Sequence, residues 1–553
     1  PELNDIGLII FDEHHERSVN TDLGLALSLQ CQELFRDDLK LLVMSATLDK
    51  EPLEKLLNAE SIFCPGRSFP IQQHYVGFDI SKRLTNQVTD TILTALQKDD
   101  GSLLVFLPGV RDIQFVHQQL QQKLTGDHYS TTSIHPLYGQ LSDKDQQAAI
   151  QATAVGQRKI VLATNIAESS LTIEGIRIVV DAGLEKQLNY NARSGMNSLV
   201  TKKISQASAI QRAGRAGRIE PGICYRLWSE QGQDALEAHS PAEISRIELS
   251  DLVLNVAQWG AQVEELSWLT QPPVTYVKQA QGLLTNLDLL DEKGQITPQG
   301  ESASQLGLNP RFAHMLLNAS GKQRLEDASL LAAMLTDTPK ALRNNDDLSR
   351  SLTQLKTNIK QHSPQKNQAA AWARQLSSNN VNAKEALSIA QLLALAFPDR
   401  VAQLRKNSDN QYLLSSGRGA QLHPSSSLIT EPWLIVSDIE DNQQGGSLIR
   451  KAIAIDEHEL LELFADHIES KSHIEWNAKG QLIAEQRDCL GAITIKTKKL
   501  TSLSDDQWYQ AWLNYFIDNG IKSLPWSDEC IQLQARLQLA FNYHLGTDSH
   551  KET

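Results

Sequence analysis

Over the first 230 residues, short unbroken apolar runs alternate with stretches of helical period. IGLIIF (6–11), LKLLVM (39–44), LLVFL (103–107), KIVLA (159–163), IRIVVD (176–181) and GICYRL (222–227) have the length and texture of strands. IGLIIF in particular reads as a buried parallel strand. Helices are predicted over 22–35, 88–98, 111–122 and 143–154; Val110, Ile113, Val116 and Leu120 form an apolar stripe. A short strand is predicted at 131–137, an extended connector at 69–78 and a polar, alternating hairpin at 184–200. SQASAIQRAGRAGR (205–218) reads as a helix. The rhythm then changes: helices at 244–259 and 274–290, a turn at KGQITPQGESA (293–303), and a helical block from Pro310 to about Asp399. Beyond Arg400, QYLLSSGRGAQL, EPWLIVSDIE, SLIRKAIAI, IEWNAKGQLI and LGAITIKTKKL give strand after strand with glycine turns. From about 502, Trp508, Trp512, Phe516, Leu524 and Trp526 suggest a helical end packed on aromatics.

Composition sets the class. The 553 residues are 41% hydrophobic and 21% charged, as in soluble globular proteins, and have room for about four or five domains. No run of 18 apolar residues occurs, so no membrane span is predicted. The five cysteines, Cys31, Cys64, Cys224, Cys489 and Cys530, are far apart and suit a reducing, cytoplasmic setting. A net charge of −14 argues against a surface coated by nucleic acid but leaves room for a local basic channel.

The candidate chemistry lies where apolar runs end. Asp12 and Glu13 follow the first strand, at the edge where open α/β sheets bind ligands. Adjacent acids there can hold Mg²⁺ through water and orient a water for attack on phosphorus. A helix cap after the strand is the plain alternative; zinc at His14 and His15 lacks further ligands at metal spacing. Ser45-Ala46-Thr47 ends the next strand and could couple the nucleotide end of the sheet to the adjoining domain. Thr164, Asn165 and Glu168-Ser169-Ser170 follow the 159–163 strand and suit a grip on a sugar-phosphate backbone. Arg212, Arg215 and Arg218, three apart on a helix, come near one face, with small neighbours leaving it open and Gln211 on the same turn. Such a face is a phosphate site, an RNA footprint or a solvated surface. Two α/β pieces, acids on one and arginines on the other, could clasp a nucleotide as an arginine-finger ATPase does.

Taken together, DEHH (12–15), SAT (45–47), LLVFLPG (103–109), ATNIAESSLTI (163–173) and QRAGRAGR (211–218) resemble, in order and spacing, motifs II to VI of the superfamily 2 DEAH-box ATP-dependent RNA helicases. GRGAQL followed by EPWLIVSD resembles the bacterial HrpB-type branch more than the spliceosomal one. The resemblance implies a multidomain α/β fold: a partial RecA-like domain 1 (1–72), a complete RecA-like domain 2 (73–236), a winged-helix module (237–305), a helical bundle (306–400), an OB-like β domain (401–500) and the start of a branch-specific, helical end region (501–553). It implies ATP and Mg²⁺ as cofactors, with Asp12 on the metal and Glu13 as the base positioning water. Gln211, Arg215 and Arg218 would lie at the γ-phosphate, and Ser45, Thr47 and His15 would couple the domains. Thr164 and Asn165 would meet the nucleic-acid backbone, and Arg418, in a glycine turn, is a further candidate. The 184–200 segment resembles a strand-separating hairpin. His14 stands where the family name has Ala.

No G-x-x-x-x-G-K-[ST] phosphate loop occurs in the sequence, and the chain opens on Pro1 with a strand already under way. A beginning missing from the chain, and an end cut short, are therefore expected. The expected function is an ATP-dependent 3′→5′ helicase of the complete chain, monomeric, acting on RNA or single-stranded nucleic acid, with these residues alone inactive. The competing expectations are a nucleic-acid-binding or interaction module without ATPase activity, and an ATPase that remodels protein–RNA complexes.

Overall fold

The computed structural model describes residues 2–46, 50–64, 69–125, 129–139, 141–168, 171–191, 196–319, 322–357, 363–376, 387–442, 446–477, 481–520 and 526–548. Two compact units divide the chain: Pro1–Ser320 with Ala371–Asn382, and Gly321–Ala370 with Ala383–Thr553.

The first unit opens with β1 (Leu8–Phe11), α1 (Val19–Leu34), β2 (Lys40–Val43) and α2 (Lys50–Leu57). β1 and β2 pair in parallel, Leu8 beside Lys40 and Phe11 beside Val43. Ser18 starts α1 by accepting from the Thr21 amide. α1 covers one face of the pair, where Gly24 lets the helix sit against the Phe11 ring. The other face is bare: Leu8, Ile10, Leu42 and Met44 are exposed. The expected burial of 6–11 is therefore found on one side only. A parallel strand needs a helix on each face and a neighbour on each edge, and two strands with one helix cannot provide them.

The second sheet is built from β3 (Ile71–Tyr75), α3 (Leu84–Lys98), β4 (Ser102–Phe106), α4 (Val110–Lys123), β5 (Thr132–Leu137), α5 (Asp143–Ile150), β6 (Arg158–Ala163), β7 (Ile176–Asp181), the hairpin β8 (Leu184–Asn191) and β9 (Met196–Lys203), α6 (Gln206–Gly214), β10 (Gly222–Arg226) and α7 (Glu230–Asp234). Its order is β3-β10-β7-β4-β6-β5, all parallel. The segment read as a connector is thus the edge strand β3, paired with β10; its alternating polar residues suit an edge. β4 lies at the centre. Leu103 and Val105 enter one core and Leu104 and Phe106 the other, which is why its apolar run is unbroken. Ile113, Val116 and Leu120 of α4 close the first of these cores, as their spacing predicted.

Beyond the sheet, α8 (Ser250–Trp259), α9 (Val274–Asn286), α10 (Pro298–Ser304) and α11 (Pro310–Leu317) share one core, which also receives Leu23 and Ala26 of α1. The 293–303 segment is a tight turn closed by the Leu290–Ile296 bridge, followed by α10. Gly300 is needed there, since a Cβ would lie 2.1 Å from the Leu289 carbonyl oxygen.

The second unit contains α12 (Lys322–Thr336) and α13 (Leu348–Thr357); the residues of α14 (Ser363–Leu376) divide between the units. α15 (Ile389–Ala396) leads into β11 (Val401–Leu404), β12 (Gln411–Leu414), β13 (Gly419–Gln421), β14 (Trp433–Asn442) and β15 (Gly446–Ala454), which close a barrel. α16 (Glu457–Leu463) follows. The last two predicted strand segments are not in the barrel. They form a separate antiparallel sheet, β16 (Glu469–Trp476), β17 (Leu482–Leu490) and β18 (Ile493–Lys499), because β11 to β15 already satisfy one another's edges. α17 (Asp505–Asn519) packs on β16 through Trp476, whose indole N–H donates to the Ala511 carbonyl (3.0 Å) and whose ring lies 4.5 Å from that of Trp512. α18 (Asp528–Asp548) completes the unit.

Candidate nucleotide and nucleic-acid site

The turn after β1 is stitched to the end of β2. The His14 amide donates to the Met44 carbonyl (3.0 Å) and the Met44 amide to that of Phe11 (2.8 Å). Glu13 and Arg17 both have φ +49°, in the left-handed region, and bracket a single helical turn, His14–Glu16. Such backbone costs about 1–3 kcal/mol per residue and persists where the surroundings hold it. Asp12 is exposed, and its Oδ1 accepts from the Glu13 amide at 2.8 Å. Glu13 is half-buried beside it.

His14 turns inward. Its Nε2 lies 3.8 Å from Oδ1 of buried Asp22, and burial holds its pKa below the ordinary value against the pull of Asp22. Asp22 is gripped by the Arg17 fork, Nε and Nη2 both at 3.1 Å, while Nη2 also donates to Thr270 Oγ1 (2.8 Å). His15 turns toward the acids. Its Nδ1 accepts from the Ala46 amide (3.3 Å) and lies 3.4 Å from Glu13 Oε2. One nitrogen cannot accept from Ala46 and donate to Glu13 together, so the proton sits on Nε2, which is buried without a partner among the described residues. His15 is therefore bound to the Ser45-Ala46 loop and stands beside the acid without a hydrogen bond to it. Ser45 is half-buried there; Thr47 lies outside the described residues.

On the second sheet, Ser205 caps α6 by accepting from the Ser208 amide. α6 ends at Gly214, so the expected face of three arginines does not form. Arg215 is the residue after the helix and Arg218 lies beyond it. Arg212 points into the protein at 1% exposure. Its Nε donates to Glu168 Oε2 (2.8 Å), its Nη1 to Asp181 Oδ1 (3.2 Å) and the Leu184 carbonyl (3.3 Å), and Glu185 lies 3.7 Å away. Its guanidinium also covers the Phe106 ring at 4.9 Å. The small residues do not keep a surface open. Ala213 and Ala216 are core, and a Cβ on Gly217 would meet the Phe69 carbonyl at 2.7 Å. They let the chain after α6 lie flat on the sheet.

Arg215 is buried, and its Nε donates to the Glu168 carbonyl (2.8 Å) while Nη1 reaches that of Leu171. Desolvation, then the neighbouring Arg218, push its pKa down to about 10; Glu13 and Glu168 oppose them. The acid after β1 and the arginine after α6 thus feel one another's charge. Arg218 is exposed, with Nη1 3.1 Å from Thr172 Oγ1, and Gln211 is half-buried on the last turn of α6.

Thr164 and Asn165 follow β6 at its carboxyl end, the first half-buried and the second exposed. Ser169 and Ser170 lie outside the described residues. Arg418 sits in the β12–β13 turn of the second unit, half-buried, its carbonyl accepting from the Leu414 amide (2.8 Å). Sequence reasoning did not foresee Asp181 and Glu185 as partners of Arg212. The available signal was the acid that ends the apolar run IRIVVD.

The hairpin β8–β9 is held in two places. Arg212 binds its root. Farther along, the Tyr190 amide donates to the Arg246 carbonyl (2.7 Å), Tyr276 Oη donates to the Tyr190 carbonyl (3.0 Å) and Arg246 Nη1 to that of Leu188 (3.2 Å). At the second hold Leu188 and Leu199 stand opposite each other, their side chains exposed.

Residues 85–220 match the helicase conserved C-terminal domain. The ATP-dependent RNA helicase HrpB of Escherichia coli (strain K12) is 40% identical over 546 residues, 98% of this chain and 65% of that protein. A crystal structure of the E. coli DExH-box NTPase HrpB matches 99% of this chain and 66% of its own, at TM-score 0.81 and 39% identity. A second, of the E. coli DEAH/RHA helicase HrpB, matches 99% and 68%, at TM-score 0.82 and 38% identity. The chain spans about two thirds of the length of these relatives. By this near-complete match, in sequence and in fold, the chain belongs to the DEAH-box family of superfamily 2 helicases and is closely related to bacterial HrpB.

Proposed function

We propose that the full-length protein is an ATP-driven 3′→5′ nucleic-acid helicase, RNA its favoured substrate, working as a monomer in the cytoplasm. The observation that carries this reading is the 40% identity to an ATP-dependent RNA helicase over 98% of this chain, beside the pull that the Glu13 carboxylate of one sheet exerts on the Arg215 guanidinium of the other. The division at 72, 236, 305, 400 and 500 is part of the same proposal. The donors suit the cofactors: Asp12 and Glu13 offer hard carboxylate oxygens to Mg²⁺, and Arg218 offers an exposed guanidinium to a phosphate. Mg²⁺, when bound, would withdraw charge from the phosphates. Asp12 would hold it, Glu13 would take the proton of the attacking water, and Gln211, Arg215 and Arg218 would meet the γ-phosphate. His15, with Ser45 and Thr47, would relay the state of that site to the adjoining domain. Thr164, Asn165 and Arg418 would touch the nucleic-acid backbone.

A nucleic-acid-binding module without ATPase activity is the second reading, favoured by the missing phosphate loop in these 553 residues. The full-length protein separates the two. Arg215→Lys keeps the charge but loses the fork. Turnover at saturating ATP and RNA is expected to fall more than about tenfold, ~1.4 kcal/mol, with RNA affinity without nucleotide within about twofold. Unchanged turnover with weaker, salt-sensitive RNA binding would move Arg215 out of the ATP site.

A further inference from the structure

Three of the six lysine, arginine and histidine side chains of the sheet β16–β18 have carboxylate partners, and a fourth, Lys499, stands across from Glu485. On one face Lys471 pairs with Glu469 (2.5 Å), Arg487 with Glu485 (3.1 Å) and His473 with Glu475 (3.1 Å). The opposite face is different. Lys496 stands opposite Asp488 and then Ser470, and Lys498 opposite Gln486 and then Ser472. Asp488 is engaged by the Ser470 hydroxyl (2.6 Å), which in turn accepts from Gln486 Nε2 (2.9 Å). Lys496 and Lys498 are exposed and make no ion pair or hydrogen bond among the described residues. Two residues apart on one strand, their Cα atoms lie ~6.6 Å apart. The two ammonium groups repel one another, in a chain whose net charge is −14.

The same strand is anchored beside Arg418. The Ala492 amide donates to the Ser415 carbonyl (2.8 Å), and Gly491, φ +58°, comes so close that a Cβ would lie 2.3 Å from that oxygen. Ser415 and Arg418 belong to one turn, so β18 starts at the Arg418 turn and carries Lys496 and Lys498 ~13 and ~20 Å along from Ala492.

We propose that this face of β16–β18, on the strand whose start is anchored at the Arg418 turn, binds the sugar-phosphate backbone of a single nucleic-acid strand without reading its sequence. The chemistry on it is that of backbone contact: ammonium groups for phosphate oxygens, with Ser472 and Gln486 as neutral partners beside them. This rests on the nucleic-acid reading above, and the test separates the two.

The chain as it stands is titrated with a fluorescent single-stranded oligonucleotide at several KCl concentrations. For Lys496→Gln/Lys498→Gln, the slope of log affinity against log salt is expected to fall in magnitude by about 1.4, two contacts at ~0.7 each. Affinity at 0.15 M salt is expected to fall roughly five- to tenfold, with an unchanged melting temperature. Lys496→Arg/Lys498→Arg is expected to bind like the parent, as is Lys471→Gln on the paired face. A parent that binds while the double Gln variant keeps its slope and affinity overturns this inference alone and leaves the lysines as a guard on an open strand edge. A parent that binds no oligonucleotide at any salt overturns the nucleic-acid reading as well. A double variant that loses adhesion to anionic vesicles but not to the oligonucleotide assigns the face to another polyanion and overturns the proposal.

Discussion

In the six-stranded sheet, Leu103, Leu104 and Val105 of β4 are wholly buried; in the two-stranded sheet, Leu8 and Ile10 of β1 are 48% and 52% exposed. Both strands come from equally apolar sequence. The difference lies in what surrounds them. β4 has a strand on each side and a core on each face, whereas β1 has one neighbouring strand and one covering helix. An apolar run states what a strand can tolerate; neighbours decide what is buried. The candidate site straddles this contrast. Its arginines rest on the dense sheet, tied by Glu168 and Asp181. Its acids rest on the sparse one, held by the Met44 and Ala46 contacts and by the Arg17–Asp22 pair.

The contrast breaks most visibly at Arg212. Arg212→Ala strands three carboxylates, Asp181 buried and Glu168 and Glu185 half-buried, and is expected to cost about 3–5 kcal/mol. Amide hydrogen exchange is the suitable measurement, with protection lost in β7, β10 and α6 and retained in α1. Equal loss in both places would mean the two sheets unfold as one. Paired truncations sharpen the point. Leu104→Ala is expected to cost about 2–5 kcal/mol in denaturant unfolding, and Leu8→Ala less than about 1 kcal/mol. A Leu8→Ala cost as large as that of Leu104→Ala would show that the bare face of β1 is covered in solution. The smallest effect is a matter of pH. Burial lowers the His14 pKa, so the unfolded chain takes a proton first as pH falls below about 6.5. The stability that neutral His14 provides is present above that value and lost below it. Unfolding midpoints at pH 7.5 and 5.5 should therefore differ more in the parent than in His14→Gln.

The sequence made the strand runs, the α4 stripe and the Asp12–Glu13 turn legible, because period and burial coincide there. The β3 edge strand was hidden by IQQHY, whose alternation is that of a loop as much as of a half-covered strand. The split between barrel and meander could not be read, since glycine turns mark where strands end and not which sheet they join. The arginines misled for a related reason. Three-residue spacing places side chains on one face only while the helix lasts, and this one stops at Gly214. The path of the chain beyond Gly214 depends on Ala216 and Gly217 fitting against the sheet, a long-range condition that local spacing does not contain.

The hairpin β8–β9, finally, has the statics of a beam with two supports. A cantilever fixed only at Arg212 would swing when pushed at Leu188 or Leu199, and the load would appear as a torque at its root. With Tyr190, Arg246 and Tyr276 gripping it farther along, rotation about either support is resisted by the other. A push at mid-span is shared between α6 and the helices beyond the sheet. Motion of the hairpin therefore requires both supports to travel together, and slack in either would turn a displacement into bending.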